Sequence, residues 1–150
     1  MTMGANVGRE EWFGGNKDAL QVYRMLADLS HTWDDLVDRD KPVPQAHVNN
    51  AFAIALVWLH MNPYYRLIRD AVAPMWVSVI AAYETANAFE VTGERHGLEI
   101  AHNLRYAAGH IVAYMMVDCL GPQAAAQFMP EMWRDLACER IEPYLEEHLK

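Results

Sequence analysis

The chain has 150 residues, 53% of them hydrophobic, and a mass of 17.1 kDa, which is one ordinary domain with enough apolar material to exclude wholesale disorder. Twelve Lys and Arg stand against twenty Asp and Glu, giving a formal charge of −8 and a pI near 5.2. No cluster of basic residues is present, which excludes the cationic patch of a direct nucleic-acid binder. The two cysteines, Cys119 and Cys138, form no Cys-x-x-Cys pair and read as reduced core thiols of a cytoplasmic protein.

In chain order, residues 1–15 carry no apolar run and are expected to be a flexible N-terminal segment without a signal peptide, leaving 16–150 as the helical domain. A first helix is predicted over about Asn16 to Arg39, stopped by Pro42 and Pro44. A second, from about Pro44 to His60, is apolar nearly all round between Ala51 and Leu59 and is predicted to be the central, most buried element. Asn62-Pro63 opens a short helix to about Ala73, with Pro74 kinking it or starting the next, which runs to about Thr92. A long helix is predicted from about Gly97 to Gly121, then a short one, then a last one from about Pro130 to Glu146. No strand or hairpin pattern occurs. The uncharged runs Ala71–Tyr83 and Tyr106–Val117 fall short of the roughly 18–20 residues of a membrane span. The expected fold is all-α, a single-domain helical bundle of about five to seven helices around a central apolar helix.

The most informative segment is His31-Thr32-Trp33-Asp34-Asp35-Leu36-Val37-Asp38-Arg39-Asp40. Its carboxylates crowd the end of a helix, where the dipole is already negative and like charges one turn apart repel. A hard cation would relieve this, since Mg²⁺ takes oxygen ligands and bridges carboxylates to phosphates. Asp34, Asp35 and Asp38 are therefore candidate ligands for Mg²⁺ or Mn²⁺, with His31, Arg39, Arg105, Tyr106 and His110 as candidate ligand-binding residues. The same stripe lies opposite the apolar face of the helix, where an ordinary solvated face also belongs.

Asp34-Asp35-Leu36-Val37-Asp38 resembles the Asp-Asp-x-x-Asp motif of class I isoprenoid synthases, and Leu104–His110 is similar to a later helix of their squalene and phytoene synthase branch. That resemblance implies Mg²⁺ held against a prenyl diphosphate by Asp34, Asp35 and Asp38. A second aspartate-rich motif and a cluster of Arg and Lys are absent. The segment through Pro42-Val43 also resembles small phage- or prophage-encoded proteins of unassigned function, which implies no chemistry.

Glu99-Ile100-Ala101-His102 has the Glu-x-x-His spacing of di-iron bundles, without the second copy such a site needs. Glu84, Asn87 and Glu90 form either an exposed helix edge or a second carboxylate set. No nucleotide cofactor is indicated, because P-loop and Gly-x-Gly-x-x-Gly patterns are missing. Two functions follow as expectations. One is an Asp-rich site for a divalent cation and a phosphorylated or diphosphate ligand. The alternative is a non-catalytic helical interaction or accessory protein whose acidic face docks a partner. Short helices with this much apolar surface also predict a homo-oligomer.

Overall fold

A computed structural model describes residues 9–39 and 41–150. Helices dominate, and no strand occurs among the described residues: the chain is an all-α single domain. After a 3₁₀ turn, Glu10–Phe13, come α1 (Lys17–Asp38), α2 (residues 45–61), α3 (Pro63–Thr92), α4 (Arg95–Leu104), α5 (Gly109–Leu120), α6 (Pro122–Leu136) and α7 (Ile141–His148).

Local chemistry sets the boundaries. Asn16 Oδ1 accepts the Ala19 N–H at 3.0 Å and caps α1, while Arg39 closes it in the left-handed region at φ 56°. Asn62 Oδ1 accepts the Tyr65 N–H at 3.0 Å and Pro63 takes the first turn of α3. Pro74 lies inside α3, which excludes a new start there and leaves one helix through it, and Pro130 lies inside α6, where a helix start was expected. Both prolines are exposed, which lets water serve the carbonyl that each leaves unpaired.

The predicted long helix is interrupted between Leu104 and Gly109 by a tighter turn that separates α4 from α5. Packing is tight where the turn ends. A Cβ on Gly109 would lie 2.5 Å from Trp133 and 2.9 Å from Leu136, so α5 has to begin at a residue that lets α6 come this close.

The centre of the core is also not where the sequence places it. Ile111, Val112, Met115 and Met116 of α5 are fully enclosed, together with Leu26, Val72, Met132 and Leu136. Helix α2 lies at the surface instead. Only Ala51, Ile54 and Leu59 of its apolar stretch are buried, and Phe52, Leu56, Val57 and Trp58 are exposed. Its middle, Ile54–Trp58, is π-helical. The sequence signal was real but ambiguous, because an all-apolar helix needs cover from some neighbour and this chain supplies it on one side only.

The N-terminal expectation changes as well. Residues 1–8 lie outside the described residues. From Arg9 onward the segment is packed rather than flexible: Trp12 and Phe13 are core residues, and Trp12 Nε1 donates to Glu131 Oε2 at 3.2 Å. Arg9 forms ion pairs with Glu131 and Asp135 of α6. The thiol expectation holds for one cysteine in part: Cys119 is half-buried, whereas Cys138 is exposed, and neither is in a disulfide. Among the described residues no helix is long and apolar enough to cross a membrane.

Candidate functional site

The C-terminal halves of α1 and α3, the α4–α5 turn and the last residues of the chain enclose a cavity of about 830 Å³. Asp34 and Asp38 line it from α1, Asn87 and Glu90 from α3, Arg105 and Tyr106 from the turn. Cys138, Glu139, Tyr144, Glu147, His148 and Lys150 complete it. The chain end is pinned there, with the Lys150 N–H donating to the Gly93 carbonyl at 3.1 Å and its Nζ to the Val91 carbonyl at 2.6 Å. Gly93 permits this twice over. Its φ is +70°, and a Cβ would meet the Lys150 side chain at 2.6 Å.

Arg105 organises the floor. Its Nε donates to Glu90 Oε1 at 2.9 Å, and its Nη2 donates to Asn87 Oδ1 at 2.7 Å and to Glu90 Oε2. The guanidinium stacks over the Tyr83 ring, 4.4 Å from its centroid, and Tyr144 donates to Glu90 Oε1 at 2.7 Å. Nη1 is buried without a hydrogen-bond partner. Burial by itself would lower the Arg105 pKa, but the hydrogen bonds and charge of Glu90 outweigh it and raise it. Arg105 is thus a permanent cation already matched to one carboxylate.

Tyr83 also donates to Asp34 Oδ1 at 2.5 Å and packs on Trp33, with ring centroids 4.3 Å apart. Burial first, then the hydrogen bond to Asp34, pushes the Tyr83 hydroxyl up. Burial and then the charge of Glu139 push Tyr106 up to about 12. Both hydroxyls therefore stay protonated at neutral pH. Partial desolvation and then the neighbouring Asp34 charge raise the Asp38 carboxyl, with Arg105 opposing.

This geometry divides the predicted residues. Asp34 and Asp38, one turn apart, face the cavity together, and Arg105 and Tyr106 meet them there. Asp35 does not line it; at 100° per residue it is turned aside, and it lies 3.5 Å from Lys41 Nζ. The three-carboxylate set is therefore not assembled, and no group of three or more His, Cys, Asp or Glu able to hold a metal occurs among the described residues. His31 is half-buried outside the cavity lining, with Nε2 unpartnered, and Arg39 is exposed at the end of α1. His110 is exposed and stacks on Trp133 at 5.1 Å, away from the cavity. Of the Glu-x-x-His pair, Glu99 joins Arg95 at 3.1 Å while His102 Nε2 contacts the Glu139 carbonyl at 2.9 Å, so the two do not converge.

Sequence reasoning singled out Asn87 and Glu90 without assigning them to Arg105, and missed Tyr83 and Tyr144. The signal was present in part: Tyr83, Asn87 and Glu90 stand at i, i+4 and i+7, on one side of α3. No protein-family model, curated protein or solved structure matches this chain.

The raised Asp38 carboxyl gives a stability prediction. A group whose folded-state pKa lies above its unfolded value contributes stability below the unfolded value and loses it as pH rises through the folded one. Asp38→Asn is therefore expected to raise Tm at pH 7, with the gain disappearing as pH falls below the ordinary aspartate value of about 3.9. Thermal melts at the two pH values check it; a lower Tm at pH 7 would show that the carboxylate is a net stabiliser.

Proposed function

We propose that this protein is a non-catalytic helical binding module whose acidic cavity receives a basic group, an ammonium or guanidinium presented by a partner chain. One observation carries the reading. Among the described residues, the carboxylates Asp38, Glu139 and Glu147 line the cavity beside the Arg105–Glu90 pair, facing His148 and Lys150. Neighbouring carboxylates repel one another, and an entering cation relieves that repulsion.

Titration of the full chain with a lysine-rich peptide tests this, with a glutamate-rich peptide as control. Binding is expected for the first alone and should weaken with added salt. Asp38→Asn should weaken it about tenfold, the effect of losing one close charge pair. Glu84→Gln, an exposed carboxylate outside the cavity, should leave it nearly unchanged. Equal losses in the two variants would mean diffuse attraction to a chain of charge −8, and would overturn the assignment to the cavity.

A second reading, a Mg²⁺ or Mn²⁺ site taking a phosphorylated ligand, has one observation in its favour. Asp34 and Asp38 share the cavity, and Mg²⁺ is commonly bound by one or two carboxylates plus substrate phosphates. It requires the ligand's phosphate to be met by groups other than Arg105 Nε and Nη2, which Glu90 and Asn87 occupy. A saturable rise in Tm with Mn²⁺ that Asp38→Asn abolishes, without peptide binding, would favour this reading over the first.

A further inference from the structure

The outer face of α2 stands apart from the cavity and shares no residue with its lining. Phe52 is 63% exposed, Leu56 70%, Trp58 51% and Met61 64%, with Val57 beside them. The π-helical segment Ile54–Trp58 widens the turn, so that Leu56, Val57 and Trp58 all face outward in succession. These side chains present on the order of 500 Å² of apolar surface, at the upper end of the largest patch on an ordinary monomer.

From this face we infer that α2 is the contact between two copies of this chain, packed helix against helix about a two-fold axis. Charge selects that occupant. Residues 42–65 contain no Asp, Glu, Lys or Arg, whereas the chain as a whole carries −8. Two copies repel over most of their surfaces and can meet without juxtaposing like charges where none are present. A two-fold contact brings a patch against itself, so an uncharged face is self-compatible where an acidic one is not. Asn49 and His60, exposed on the same helix, supply polar groups for the rim. A lipid surface fits less well, because interfacial helices carry Lys and Arg on their polar side and α2 has neither.

Sedimentation velocity of the full chain tests the inference. At about 100 μM the wild type should sediment with twice the 17.1 kDa chain mass and dissociate on dilution. Leu56→Glu, at an exposed position, places a charge in the interface from each copy. It should give a monomer at the same concentration with an unchanged helical circular dichroism spectrum. Hydrogen exchange on the wild type supplies a readout independent of variant folding: amides of residues 52–61 should be more protected at high concentration than at low. A wild type that remains monomeric, a dimer that persists in folded Leu56→Glu, or concentration-independent exchange in α2 would each overturn the proposal. Flotation of the wild type with neutral phosphatidylcholine vesicles would do so too, by assigning the face to lipid.

Discussion

Arg105→Ala is expected to destabilise the fold by about 3–5 kcal/mol, the usual cost of removing one partner from a buried ion pair. The Arg105 and Glu90 side chains are only 10% and 15% exposed, so solvent does little to screen what is left behind. Removal of the guanidinium leaves Glu90 beside Asp34 and Asp38 with Tyr144 still donating to it, and takes away the donor to Asn87. It also uncovers one face of the Tyr83 ring. Urea unfolding measures the loss, and Arg105→Ala with Glu90→Ala should cost less than the sum of the single changes. A loss below about 1 kcal/mol would place the pair in the class of solvated surface bridges and remove the electrostatic basis of the site.

The second large effect is at the other end of the molecule. Trp12→Ala should cost about 3–5 kcal/mol, as expected for truncating a fully enclosed tryptophan. The ring meets Tyr23 edge-on at 5.8 Å, lies under the Arg9 guanidinium at 4.9 Å and hydrogen-bonds Glu131 through Nε1. Trp12→Phe keeps much of the packing and loses the hydrogen bond, so it should cost markedly less. A negligible effect of Trp12→Ala in equilibrium unfolding would return the segment to the flexible status that its composition suggests.

Comparison of these two regions shows what a sequence conveys. Helix α1 was legible because its signals are local: Asn16 caps it, apolar residues recur at helical spacing, and prolines follow its end. The ends of α3 at Gly93 and α5 at Gly121 were legible for the same reason, since both glycines take positive φ. The 3₁₀ turn was not, because Trp12 and Phe13 make two apolar residues without a period, and contact with α1, α5 and α6 gives them a place. Helix α2 was misplaced because hydrophobicity states that a surface requires cover and does not state whether the same chain provides it. The close packing of Trp133 on Gly109, where α5 begins, lies beyond the reach of local patterns.

The site was half legible on similar grounds. Charge crowding in α1 drew attention to a helix that lines the cavity, and i,i+4 spacing brings Asp34 and Asp38 to it together. The partner of Arg105 was not legible, because its pairing with Glu90 spans two helices and a turn. That pairing changes the chemistry expected of the site: an arginine free to meet a phosphate becomes one already engaged, which is why a cation is the occupant we propose.

The most direct measurement of that claim is a two-dimensional ¹H–¹⁵N NMR titration of the full chain with the lysine-rich peptide, which locates binding residue by residue. If the cavity receives the basic group, shifts should concentrate at Asp34, Asp38, Arg105, Tyr106 and residues 138–150, and the amides of α2 should stay in place. Shifts confined to α2, or spread evenly over the exposed carboxylates, would contradict it.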